Sequence, residues 1–166
     1  GNIAITTGDG ADSLEALLGD DWTAGGDVSV NLGGGNNVLR LDQTVKAKGA
    51  LSAITFTTGA GTDALTATGN WTAVGAITVG LGEGDDSLTA TGNWTAGGAI
   101  AMGLGSGDNA VSLWGNLSGS SIGFTTLGGD DSLTATGNWV STAGGISVKA
   151  GDGLNSFNLS GALSAT

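Results

Sequence analysis

The feature that most constrains this chain is a block written nearly three times over. Gly59 to Leu81 reads GAGTDALTATGNWTAVGAITVGL, Gly82 to Leu104 reads GEGDDSLTATGNWTAGGAIAMGL, and Leu127 to Ala150 reads LGGDDSLTATGNWVSTAGGISVKA. Self-similarity at a period of about 23 residues marks a stacked-repeat architecture, in which each unit buries its apolar side only against its neighbours. The chain therefore reads as a pile of coils.

Seven marker pairs extend the pattern over the whole length: Ile3 with Asp12, Val28 with Asn37, Ile54 with Asp63, Ile77 with Asp86, Ile100 with Asn109, Ile122 with Asp131, and Ile146 with Asn155. Each pair is nine residues apart, whereas the return to the next opening residue varies from 13 to 17. Strand, glycine turn and strand form the constant part, of the form I-x-V-x-L-G-x-G-x-D. Downstream of each marker Asp or Asn, period-two alternation gives an inward set Leu14, Leu39, Leu65, Leu88, Val111, Leu133 and Phe157, followed two residues on by Ala16, Leu41, Ala67, Ala90, Leu113, Ala135 and Leu159. The expected fold is all-β: a single parallel β-solenoid (β-helix) over residues 1–166, with about seven coils of 22–26 residues, three short strands each and identical positions stacked about 4.8 Å apart.

A row of large apolar residues is expected at Trp22, Leu51, Trp71, Trp94, Leu117, Trp139 and Leu163, filling a corner of the core. Asn70, Asn93, Asn116 and Asn138 precede four of these. Three of them sit in N-x-[ST] sequons, but glycans on adjacent rungs would collide, so a stacked Asn hydrogen-bond ladder is the better reading. The second coil carries an insertion placed around Asp42 to Lys48, before Leu51.

Composition narrows function. There are 34 Gly, no Cys and no His, which excludes thiol chemistry and imidazole-dependent acid-base steps. With no groove of carboxylates and basic residues visible either, no enzymatic activity is expected. The net charge of -11, with Arg40, Lys46, Lys48 and Lys149 as the only side-chain cations, argues against nucleic-acid partners. No apolar run is long enough for membrane insertion as a helix.

The ends read as complementary. The chain opens at Ile3-Ala4-Ile5 and stops at Gly161-Ala162-Leu163-Ser164-Ala165-Thr166, without a polar cap at either end. Writing the C-terminus ahead of a second N-terminus reproduces the spacing of Gly69 to Gly82. The expectation is six full coils plus two complementary partial coils at the termini, joined between copies. Asn2, Ile3, Ala4, Ile5 and Thr6 would meet Leu159, Leu163, Ser164, Ala165 and Thr166 of the next subunit, and open strand edges recruit such partners.

The turns, such as Gly82-Glu83-Gly84-Asp85-Asp86 followed by Ser87-Leu88-Thr89, resemble the G-x-G-x-D-x-U-x core of the RTX repeat family, secreted bacterial β-rolls that bind Ca2+ between stacked turns. The resemblance covers about a third of each coil. This chain departs from it in having one such turn per coil and in replacing the key Asp by Asn37, Asn109 and Asn155. It implies Ca2+ at Asp12, Asp63, Asp85, Asp86, Asp108, Asp130 and Asp131, and an extracellular or cell-surface location. Ten acids, with Asp9, Glu83 and Asp152 completing this set, are expected along one edge of the stack.

The leading expectation is a structural protein that self-assembles head to tail into an extracellular filament of a matrix, sheath or surface fibre, with lateral contacts to other filaments or polysaccharide. The alternative is a Ca2+-dependent adhesin or a ligand-binding module, for which the outward Thr66, Thr68, Thr89, Thr91, Thr134 and Thr136 supply a flat, ice-binding-like face.

Overall fold

A computed structural model describes residues 1–17 and 19–166. It is all-β and climbs in three-strand turns. The first turn is β1 (Ile3–Thr6), β2 (Ser13–Ala16) and β3 (Trp22–Ala24); the second is β4 (Val28–Asn31), β5 (Val38–Leu41) and β6 (Val45–Ala47). The third is β7 (Ile54–Thr57), β8 (Ala64–Ala67) and β9 (Trp71–Ala73), and the fourth β10 (Ile77–Gly80), β11 (Ser87–Ala90) and β12 (Trp94–Ala96). The fifth contains β13 (Ile100–Ser106), β14 (Ala110–Leu113) and the start of β15 (Leu117–Gly128), which runs on as the first strand of the sixth. That turn continues through β16 (Ser132–Ala135) into β17 (Trp139–Lys149), and the last closes with β18 (Ser156–Leu159) and β19 (Leu163–Ala165). The architecture is a parallel β-solenoid of about seven turns.

Among the described residues every pairing between strands is parallel, and equivalent positions stay in register apart from shifts near Gly105 in the β13–β15 pair and near Ser120 in the β15–β17 pair. Leu88 faces Leu65 and Val111, and Ile77 faces Ile54 and Ile100. The second strands stack as a seven-stranded sheet of their own. The first and third strands merge into a twelve-stranded sheet because β15 and β17 pass through the corner without a break. The interval from marker residue to Asp or Asn is constant because both of its strands belong to ladders. A residue gained there would reverse the facing of every later side chain in the coil.

The core follows the expected alternation. Ile54, Ile77, Ile100, Leu88 and Leu133 are buried, with Phe56, Phe124 and Met102 among the larger fillers. At the ends the same inward positions stay partly open: Ile3, Ile5, Leu14 and Trp22 are half-buried, and Phe157 and Leu163 are 39% and 51% exposed.

The corner row is Trp22, Val45, Trp71, Trp94, Leu117, Trp139 and Leu163, so the expected place of Leu51 belongs to Val45. Leu51 instead lies 85% exposed in a turn, at φ 63°. The second coil's extra length therefore follows its third strand, in a loop closed by the Ser52 N–H donating to the Gly49 carbonyl at 3.0 Å. Trp71 and Trp94 stack at 4.5 Å with planes 2° apart, and Phe56 extends the pile at 4.6 Å from Trp71. These rings face the core, which leaves the exposed Trp114 outside the pile.

Candidate functional site

The glycine turns are the chemically densest part of the stack. The third residue of each turn is Gly in all seven, and Gly84 shows why: its φ is +129° and a Cβ there would collide with the Gly61 carbonyl of the turn beneath.

Two residues on, the marker Asp or Asn turns inward and forms a ladder along the axis. The backbone N–H of Asp12 donates to Asn37 Oδ1 at 3.1 Å, that of Asn37 to Asp63 Oδ1 at 2.8 Å, and that of Asp63 to Asp86 Oδ1 at 2.8 Å. The series continues from Asp86 to Asn109 at 3.1 Å, from Asn109 to Asp131 at 3.0 Å, and from Asp131 to Asn155 at 3.0 Å. Asn37, Asp63, Asp86, Asn109 and Asp131 are all buried.

The second atom of each side chain separates Asn from Asp. Asn37 Nδ2 donates to the Gly35 carbonyl at 2.9 Å, and Asn109 Nδ2 to the Gly107 carbonyl at 2.8 Å. At Asp12, Asp63, Asp86 and Asp131 the corresponding Oδ2 is buried without a hydrogen-bond partner. Burial pushes the Asp86 carboxyl up to about 7; the hydrogen bond with the Asp63 backbone opposes this, and the charges of Asp63 and Asp85 add to the rise.

One residue earlier in the chain the side chains point outward and form a second ladder of opposite sense. The Asp108 N–H donates to Asp85 Oδ1 at 2.9 Å, the Asp130 N–H to Asp108 Oδ1 at 2.8 Å, and the Leu154 N–H to Asp130 Oδ1 at 2.7 Å. The acids expected along one edge are thus divided. Asp85, Asp108 and Asp130 face solvent, while Asp12, Asp63, Asp86 and Asp131 turn toward the interior, because neighbouring residues of an extended segment point to opposite sides.

Calcium seeks six to eight oxygens around one point. Here each inner acid has one oxygen engaged by a backbone N–H of the adjacent turn, Asn donors break the row, and the outer acids lie across the backbone. Among the described residues no three acids converge on a common centre. The hydrogen bonds of these acids are those of two ladders.

The third ladder is the Asn row. The N–H groups of Asn93, Asn116 and Asn138 donate to Asn70, Asn93 and Asn116 Oδ1 at 2.8 Å each, and Ala162 N–H to Asn138 at 2.9 Å. Of the cations near the second coil, Lys46 pairs with Asp21 at 2.8 Å and holds that carboxyl below its ordinary range.

The expected contact residues lie at opposite ends of the stack. Asn2 accepts from Asp27 N–H at 3.1 Å, and Ile3, Ala4, Ile5 and Thr6 pair with β4 along one edge only. Leu163, Ser164 and Ala165 pair only with β17, Thr166 N–H donates to the Ser141 carbonyl, and Leu159 ends β18. Sequence reasoning had no signal for the unpaired Oδ2 row, since Asp and Asn alternate there without changing the turn.

Fold and ladders together define the class: a parallel β-solenoid repeat protein held by axial side-chain ladders. No protein-family model matches the chain, and comparison with curated proteins and with solved structures returns no match.

Proposed function

We propose that the protein is a structural element whose copies stack head to tail into an extracellular β-solenoid filament. The observation that carries this reading is the match between the two end turns. Within the inner ladder each N–H reaches Oδ1 of the following turn, and Asp12 Oδ1 of a second copy would continue that series at the N–H of Asn155. Apolar positions agree with this: Phe157 and Leu163 at one end complement the half-buried Leu14 and Trp22 at the other. Adding β1 of one copy beyond β17 of another, together with β2 beyond β18 and β3 beyond β19, continues all three faces by strand addition.

A heterologous contact of this kind uses two different surfaces and grows without closing. Ile5→Lys blocks one end and Leu163→Lys the other. Each variant alone is expected to sediment as a monomer, while their mixture gives one-to-one dimers through the two unblocked ends. Assembly of either variant alone into fibres contradicts the proposal. The alternative, a ligand-binding module, draws on the outward Thr66, Thr89 and Thr134, which stack with Ser112 on the seven-stranded sheet but are flanked by the exposed Trp114.

A further inference from the structure

The inner ladder contains a chemical inconsistency that a proton resolves. Asp86 and Asn109 occupy equivalent places in consecutive turns, and each offers Oδ1 to the N–H of the turn beneath, at 2.8 and 3.1 Å. Asn109 then uses Nδ2 to satisfy the Gly107 carbonyl at 2.8 Å. In Asp86 that place is taken by Oδ2, which is buried and unpartnered; the group equivalent to the Gly107 carbonyl is that of Gly84. Two acceptors facing each other away from water repel, and a buried ionised carboxylate without a counter-charge is costly.

We propose that Asp86 is carried as the neutral acid in the folded solenoid, its Oδ2–H donating to the Gly84 carbonyl as the Asn109 amide donates to Gly107, so that the stack is tightest in mildly acidic solution. Asp63 and Asp131 present the same unpartnered oxygen in the same turn geometry. The charged groups that act on Asp86 are Asp63 in the turn beneath and Asp85 beside it, both acids; the residue above is the neutral Asn109, and no cation acts on it. Burial and these neighbours push in the same direction, up to about 7. The inference stands apart from the filament proposal, since it concerns each chain singly.

The test is carbon NMR of the wild-type chain labelled at the aspartate carboxyl carbons, with Asp86→Asn identifying the Asp86 signal. The expected result is a protonated carboxyl at pH 5 that ionises with a midpoint near 7. A signal already ionised at pH 5 overturns the proposal. In urea, Asp86→Asn is expected to match wild type at pH 4 and to exceed its unfolding midpoint at pH 7.5; a lower midpoint at pH 7.5 contradicts it. Millimolar Ca2+ added at pH 7.5 is expected to leave both midpoints unchanged, and a Ca2+-dependent rise in wild type that Asp86→Asn abolishes would assign the oxygen to a metal instead.

Discussion

The backbone N–H of Asp63 donates to Oδ1 of Asp86, 2.8 Å away, in the next turn of the solenoid. This bond belongs to neither sheet. It ties the turn edge of one coil to the next and makes a buried polar side chain part of the axial ladder. Asp86→Ala strands the Asp63 N–H in the interior and is expected to lower stability by about 1–3 kcal/mol, read from urea unfolding. Asp86→Asn keeps the acceptor and escapes this loss.

Stability also depends on pH, with a sign fixed by the direction of the shift. The Asp86 carboxyl rises from its ordinary 3.8 to about 7 on folding. Below 3.8 both states hold the proton, and above about 7 neither does. Between them the folded state binds more protons, so its contribution to stability falls as pH rises through that window. Melting temperatures recorded from pH 4 to 8 are expected to fall along this limb, and a rise across it would contradict the assignment.

The Trp pile gives a sharp contrast between two identical residue types. Trp71 lies fully inside, stacked on Trp94 and packed against a tilted Phe56, whereas Trp114 is 59% exposed on the outer face. Trp71→Ala is expected to cost about 3–5 kcal/mol by opening a cavity, and Trp114→Ala no more than about 0.5 kcal/mol. Calorimetric or denaturant unfolding of both variants decides this.

Gly84→Ala combines an unfavourable φ with a collision against the Gly61 carbonyl, and is expected to cost about 1–3 kcal/mol or to break the stack at that turn. Ala at Gly123, whose Cβ meets nothing, is the matched control. Amide hydrogen exchange around Asp63 and Asp86 distinguishes local opening from global loss.

Much of the fold was legible because a solenoid writes its register into the sequence. The fixed interval from Ile77 to Asp86 located two strands and the turn between them, and period-two alternation placed Leu88 and Ala90 inside. The variable return segments were harder. Leu51 is large and apolar, as the corner row demands, yet Val45 holds that place because the extra residues follow the third strand. The acids divide for a related reason. Asp85 and Asp86 are adjacent in sequence and read as one cluster, but an extended backbone sends one to solvent and the other to the interior. The buried ladder also depends on which side of the turn an oxygen faces, and Asp and Asn are equally suited to the turn itself.

Head-to-tail stacking is the claim on which the functional account turns, and electron microscopy of the purified wild-type chain tests it most directly. The account predicts unbranched fibres with an axial subunit repeat of about 34 Å, set by seven rungs at the ordinary strand spacing. A monodisperse monomer across the accessible concentration range would contradict it.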